Sequence, residues 1–407
     1  MTAQVQAQAL AQTPTNYVRG AISMADLQAR VGAYAADCWD DMAPTRELAF
    51  TDGSTIRYRA QPGQAEALFN AEEGAVIQAE VGQHAFGQLA ERLDAPPTHW
   101  LLDERHVGPE LRAQVMNLML EARENSTLLL RHKADMLRAV LSDKYSVFNH
   151  TDAVDLVAGA LEQMGDLGQG VRVHNPQMGD VLRAYVLLPR VTITQDPGAG
   201  GGGQATLTPD AGNPQGPAGH EWTGGDPRGN GGGLHPAIYV TNSEVGTGRV
   251  RIHGAIFRSV CSNGAIVGWK QGEGLDLVHR NLSRRTIASA MADALVKAFR
   301  MSEDAVKRFV ASQAILLEPT KVGGLAREWG DKYGISLPNI EAWTKMVTAE
   351  AGANGRLEAP ALFDLVNAAT FLAQSVGGAD EREALERVGG DLLYAELPRV
   401  AMYGQVR

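Results

Sequence analysis

Positive charge is in short supply in this sequence. Across 407 residues, 37 Lys and Arg stand against 47 Asp and Glu, a formal net charge of −10. A protein whose whole surface grips nucleic acid is thereby excluded, because such domains carry a basic excess. Cysteine is almost missing: Cys38 and Cys261 match no zinc or redox spacing, which predicts reduced thiols in a cytoplasmic protein. No apolar run approaches the roughly 18 residues of a membrane span, so no membrane partner is expected. The first residues, MTAQVQAQALAQTPTN, lack the positive region and apolar stretch of a secretion signal. Gly200 to Gly203 are not followed by Lys-Ser or Lys-Thr, so there is no phosphate loop. The ten histidines form no i, i+4 ligand pair, and no Gly-x-Ser-x-Gly elbow exists. Neither a metal nor another cofactor is implied, and no residue can be named as catalytic.

Charge is unevenly spread, however. Between Ser126 and Arg285 there are 15 basic and 14 acidic residues, and from Arg249 to Arg285 seven basic residues face two acidic ones. A local basic face on an acidic protein follows, able to bind phosphate or to pair with its acidic flanks.

Patterning predicts an α+β protein with three regions. Residues 1–22, rich in Gln, Ala and Thr, read as a flexible tail. Residues 23–283 read as the α+β core domain. Within it, apolar spacing predicts helices over Met24 to Trp39, His84 to Leu102, Pro109 to Asn125 and Thr151 to about Met164, the last capped by Asn149 or Thr151. Alternation predicts a hairpin around Asp52-Gly53, paired strands over Ser126 to Arg131 and Met136 to Ser142, and further strands at Val171 to His174 and Val181 to Thr194. The segment from 198 to 233 contains 14 Gly in 36 residues and reads as a flexible insertion with Trp222 as its one bulky group. From 284 to 407 a helical region follows, opening with helices over Ile287 to Phe299 and Glu303 to Leu317. A central, mainly antiparallel sheet drawn from residues 126 to 268, with helices on one side, is the simplest assembly.

The stretch IYVTNSEVGTGRVRIHGAIFRSVCSNGAIVGWK carries the most information. Its two β-rich runs are parted by Gly246-Thr247-Gly248, which predicts a hairpin with arginines on one face. Arg138, Lys144, Arg183, Arg249, Arg251 and Arg258 are the candidate phosphate contacts, since guanidinium forks match phosphate oxygens and release counterions on binding. Tyr145 is the candidate for stacking an unpaired base, worth about 1–3 kcal/mol. Tyr185, Tyr239 and Phe257 read as core residues, Cys261 as a small buried hydrophobe, and Asn242-Ser243 and Ser262-Asn263-Gly264 as turn chemistry whose amides could also meet a phosphate. His279, Arg280, Arg284 and Arg285 read as a cationic helix start, which the helix dipole disfavours unless an anion sits there.

Four segments resemble a phage- and plasmid-like bacterial family, a domain of unknown function. They are RAVLSDKY at Arg138 to Tyr145, YVTNS at Tyr239 to Ser243, FRSVCSNG at Phe257 to Gly264, and FDLVNAAT at Phe363 to Thr370. The matching span runs roughly from residue 80 to residue 375, and the Val-Cys-Ser-Asn-Gly element is its most distinctive part. The resemblance implies an accessory protein of DNA recombination on mobile elements, similar in outline to single-strand annealing proteins and therefore homo-oligomeric. The chain departs from the family in its long Gly-rich insertion and in Ser243-Glu244, where members often place Asp-Gly.

The resulting expectation is sequence-tolerant binding of single-stranded DNA in recombination or replication, without catalysis. Two other classes stay open. One is an assembly factor working through its acidic helical end. The other is an enzyme with a dispersed site acting on nucleic acid, which would need an acidic partner beside His132, His253 or His279.

Overall fold

A computed structural model describes residues 21–60, 76–123, 125–165, 170–187, 191–194, 206–209, 234–258, 263–267, 274–280, 284–353, 355–356, 358–376 and 379–396. The chain opens with β1 (Ile22–Ser23) and α1 (Met24–Ala35), whose start is fixed by a capping box between Ser23 and Asp26. Next come β2 (Cys38–Pro44), β3 (Ala49–Phe50), β4 (Thr55–Arg59) and β5 (Val76–Val81). The expected helix thus stops at Ala35, and Cys38 and Trp39 belong to a strand. The β3–β4 turn is held by Asp52, whose Oδ1 accepts from the N–H groups of Ser54 and Thr55 at 2.8 and 2.7 Å, as its Asp-Gly pair predicts.

Two helices then form where one is expected. They are α2 (Gln83–Arg92) and α3 (Thr98–Leu101), parted at Asp94, which takes φ 52°, and at the Pro96-Pro97 pair. Further on, α4 (Pro109–Ala122) starts on a proline, which suits the first helical position, where no N–H partner is needed. The strands β6 (Thr127–Lys133) and β7 (Met136–Ser142) pair across the predicted turn, and α5 (His150–Gln163) follows with Asn149 as its cap.

The second half supplies β8 (Arg172–Gln177), β9 (Val181–Leu187), β10 (Val191–Thr194), β11 (Thr206–Pro209), β12 (Leu234–Ser243), β13 (Val250–Arg258), β14 (Asn263–Val267) and β15 (Leu275–Leu277). Helices complete the chain: α6 (Arg284–Ala311), α7 (Val322–Lys332), α8 (Leu337–Ala353), α9 (Leu362–Ser375) and α10 (Ala379–Leu392). No helix among the described residues is long and apolar enough to cross a membrane. Of the Gly-rich insertion only β11 is described; the rest of it, with Trp222, lies outside the described residues, as do residues 1–20 and Cys261.

The α+β class is as the patterning predicts, but the strands divide between two sheets. The smaller runs β2-β6-β7-β5-β4-β3, antiparallel except for the parallel β5–β7 pair. Its core is formed by Ile56, Tyr58, Phe86, Leu89, Met116, Leu130 and Leu137, with α2 and α4 packed over one face. The larger sheet is antiparallel. It runs β1-β8-β9-β12-β10-β11, with β13 on the free side of β12 and both β14 and β15 on β13. Helices cover both of its faces, not one. Val186, Ile238, Val240 and Ile252 pack on α5 and α6, while Tyr185, Tyr239, Ala237 and Ala255 point the other way, toward α10.

A single 28-residue helix, α6, replaces the two expected ones. No Gly or Pro interrupts it, and at about 1.5 Å per residue it spans about 42 Å. Ile287, Met291 and Leu295 join the larger sheet's core, and Met301, Ala305 and Phe309 join the helical core around Trp343, Leu365 and Leu385. One apolar stripe therefore knits sheet and helical unit together.

Candidate functional site

The two sheets meet along an open cleft of about 740 Å³. From the smaller sheet's side it is lined by Gln88, Glu91 and Arg92 of α2 and by Leu141 and Ser142 of β7. From the larger sheet come the Gly246-Thr247-Gly248 turn, Arg249, Arg251, Val278, His279 and Arg280, with Tyr145 between the two walls. Its lining thus carries four arginines and one carboxylate, Glu91, with Asp276 close to Arg249 and Arg251 and Glu383 close to Arg251.

Backbone contacts set its shape. Gln88 donates from Nε2 to Val245 O at 2.8 Å and accepts at Oε1 from Val140 N–H at 2.9 Å, so one side chain ties the β12–β13 turn to β7. Gly246 takes φ 78°, a conformation that residues with a Cβ rarely adopt, so the turn requires glycine, and a Cβ there would also push a Leu141 methyl aside. Arg92 is anchored by Nε donating to Val140 O at 3.1 Å, which aims the rest of the guanidinium outward. Arg249 is half exposed, with Nη1 3.4 Å from Asp276.

Tyr145 donates its hydroxyl to Ser243 O at 3.0 Å and stacks on His279, ring centres 5.0 Å apart and planes within 8°. Burial pushes the His279 ring down to about pH 4 and raises the phenol, so both rings are neutral and the cleft's charge is arginine charge. The helix predicted to open at His279 begins at Arg284; Arg280 forms an isolated bridge with Tyr145 instead, which brings it into the cleft.

Of the candidate residues, Tyr145, Arg249 and Arg251 come together here, with exposed Lys144 next to Tyr145 in the chain. Arg138 does not. It belongs to the smaller sheet, is buried, and donates from Nη2 to Glu244 Oε2 at 2.7 Å and from Nη1 to the Tyr34 hydroxyl at 3.2 Å. Arg183 does not either: it faces α10, 2.7 Å from Asp380 and 3.4 Å from Glu383. Arg258 ends β13, and its side chain lies outside the described residues. One arginine-bearing sheet face is therefore corrected to two sheets: Arg138 sits in the smaller one, paired with Glu244, while Arg183 shares a face of the larger one with Arg251 and lies under α10. Arg92 escaped the sequence reading because the end of an amphipathic helix looks like ordinary surface charge. Arg280 was visible in it only as part of a helix start.

Glu244 points away from the cleft. Arg138 and the His150 N–H, at 2.6 Å, satisfy its two oxygens. Burial would raise its carboxyl, but the hydrogen bond from the His150 N–H and the charge and hydrogen bond of Arg138 outweigh that and lower it. The neighbouring Arg131 donates to Glu244 O at 2.8 Å, to both Asp40 oxygens and to Asn149 Oδ1. His150 completes the network as a neutral ring: Nε2–H donates to Gly179 O, and Nδ1 accepts from Asn242, whose amide is oriented by Phe148 O. These groups bolt the two sheets together and leave the cleft beside them open.

Of the histidines of the enzyme alternative, His132 pairs with the Tyr58 hydroxyl at 2.8 Å and stacks on Trp39, His279 meets Ser146 O, and His253 is buried with the Asp276 carboxylate near enough to act on its ring. Among the described residues, no three His, Cys, Asp or Glu stand close enough together to hold a metal. The chain matches no protein-family model, no curated protein and no solved structure.

Proposed function

We propose that the cleft binds the phosphodiester backbone of single-stranded DNA, independently of sequence, in recombination or replication of a phage- or plasmid-type element, with strand annealing by a homo-oligomer as the fullest form of the activity. The observation that carries this reading is the convergence of Arg92, Arg249, Arg251 and Arg280 on one open cleft in a protein that is acidic overall. Arginine forks bind phosphate oxygens in pairs, and Tyr145 and the exposed Val278 supply apolar surface for an unpaired base. Lys144 extends the track at its rim. Uniform phosphate contacts carry no base code, which is why sequence tolerance goes with this site.

The test is fluorescence anisotropy of a labelled single-stranded oligonucleotide at low and moderate salt, with duplex as comparator and mass photometry reading the subunit number. Wild type should bind, prefer the single strand and weaken with salt. Arg249→Ala with Arg280→Ala should weaken binding by roughly 10-fold or more and flatten the logarithmic salt slope by about 0.7 per lost contact. Unchanged affinity and slope in the double variant would remove the cleft from the binding site.

A further inference from the structure

The hydrogen-bond register of the larger sheet puts a second pair of arginines in one row. Thr241 of β12 faces Arg183 of β9 on one side and Arg251 of β13 on the other, so the three side chains project from the same face. With strands about 4.8 Å apart, the two guanidinium stems start about 10 Å from each other. Lying over this row is the first turn of α10. Arg183 Nη2 is 2.7 Å from Asp380 Oδ1 and its Nε 3.4 Å from Glu383 Oε2, while Arg251 Nη1 is 3.4 Å from Glu383 Oε1. Glu383 thus bridges both arginines with its two oxygens.

Arg251 belongs to two places at once. It lines the cleft, and it is held by Glu383 and more loosely by Asp276, 3.8 Å away. The contacts to Glu383 are long for charge-assisted hydrogen bonds, and Asp380 is 96% exposed, so water and salt weaken its pull on Arg183. We infer that the Arg183–Arg251 row continues the cleft's anion track, and that the acidic first turn of α10 occupies it as an intramolecular stand-in for the phosphates of a nucleic-acid strand. The inference rests on the proposed function of the cleft. A strand entering past Arg249 and Arg280 reaches Arg251 next. Its phosphate competes with Glu383 there, and α10's first turn gives way so that Arg183 becomes available.

Geometry also limits how far α10 can move. Glu383 accepts from the Tyr239 hydroxyl at 2.8 Å and Glu386 from that of Tyr185 at 2.6 Å, deeper under the helix. Leu385, Val388 and Leu392 anchor the same helix in the helical core. Loosening is therefore confined to the turn at 379–383, and it breaks that turn's own ties: Tyr239 to Glu383, the Ser336 N–H and hydroxyl to Glu381 Oε1 at 2.9 and 2.7 Å, and Arg382 Nε to Ala373 O at 3.0 Å.

Glu383→Gln keeps the acceptor for Tyr239 and removes the charge, and Asp380→Asn removes an exposed charge without touching the core. Combined in the full chain, they should tighten single-strand binding by about 3- to 10-fold at low salt, with Asp380→Asn alone giving a smaller gain in the same direction. Hydrogen exchange on wild type should show 379–383 exchanging faster when the oligonucleotide is bound. Binding by wild type that neither variant strengthens, with exchange at 379–383 unchanged, would overturn this inference and leave the cleft standing. Absence of binding by wild type and variants alike would overturn the cleft reading and this one with it.

Discussion

Arg138 and Arg249 are the same residue type on adjoining walls of one protein, and they have opposite fates. The Arg138 side chain is 3% exposed and locked to an equally buried Glu244, whereas Arg249 is 50% exposed and touches only the edge of Asp276. What separates them is the carboxylate that folding delivers. Glu244 is set at the end of β12, where Asp180 O accepts its N–H, and it arrives beside β7 already oriented. A buried guanidinium with a matched partner is a structural bolt, because desolvation leaves it no alternative. One at the rim of a cleft keeps its water and stays available to an outside anion.

The largest effect follows from removing one half of the bolt. Arg138→Ala strands a buried Glu244 carboxylate, and denaturant unfolding should show a loss of about 3–5 kcal/mol. Arg249→Ala should stay within about 0.5 kcal/mol of wild type while oligonucleotide affinity falls. If Arg138→Ala proved as stable as Arg249→Ala, the two settings would not differ as their burial says they do.

Acidity sharpens the same contrast, since only covered groups couple folding to pH. Burial holds His132 down to about 3 and His253 and His279 to about 4, against an ordinary 6.5. Below pH 6.5 the unfolded chain takes up protons that these folded rings refuse, so stability falls on acidification toward pH 4. Glu386 acts in the opposite sense. Burial under α10 pushes its carboxyl up to about 8, so its contribution is complete below the unfolded value of 4.5 and is lost as pH rises to about 8. Between 4.5 and 6.5 these histidines, joined by His150, whose ring burial also lowers, oppose one glutamate and prevail, which places the thermal-unfolding maximum at about pH 7. Glu386→Gln should flatten the alkaline side and steepen the rise between 4.5 and 6.5. A midpoint that keeps climbing through pH 8 in wild type would mean that Glu386 is charged beneath the helix.

How much of this could be read from the sequence depends on the range of each signal. The Gly246 hairpin, the Asp52-Gly53 turn and the Asn149 cap were legible because their causes lie within a few residues. So were Tyr185 and Tyr239 as core, since alternation on a strand is local. The division into two sheets was not. β2 carries Asp40 and Asp41 and so looks unlike a strand, until Arg131, paired across from Asp40 on β6, supplies the partner. β5 alternates exposed and buried residues from Val76 to Val81, and that signal was present but unread. That Arg249 and Arg251 gather beside one hairpin with Tyr145 nearby was legible as well. Which arginines face solvent depends on Glu244, Asp380 and Glu383, and those pairings span roughly 100 to 200 residues of chain.

The smallest effect concerns a turn away from both arginine settings, so it serves as a control on the comparison. Ala134, between β6 and β7, adopts φ 51°, in the left-handed region where a Cβ is unfavourable. The tertiary structure holds it there: its N–H donates to Asp37 O at 2.7 Å and its carbonyl accepts from the Trp39 indole at 2.9 Å. Ala134→Gly keeps both bonds and relieves the side-chain strain, though glycine loses more freedom on folding. Strain relief of about 1 kcal/mol against a smaller entropy loss leaves a net gain of a few tenths of a kcal/mol in denaturant unfolding, with oligonucleotide affinity unchanged. A change in affinity here would show that the cleft responds to general stiffness of the smaller sheet, and the losses expected from Arg249 and Arg280 would then no longer identify them as direct contacts.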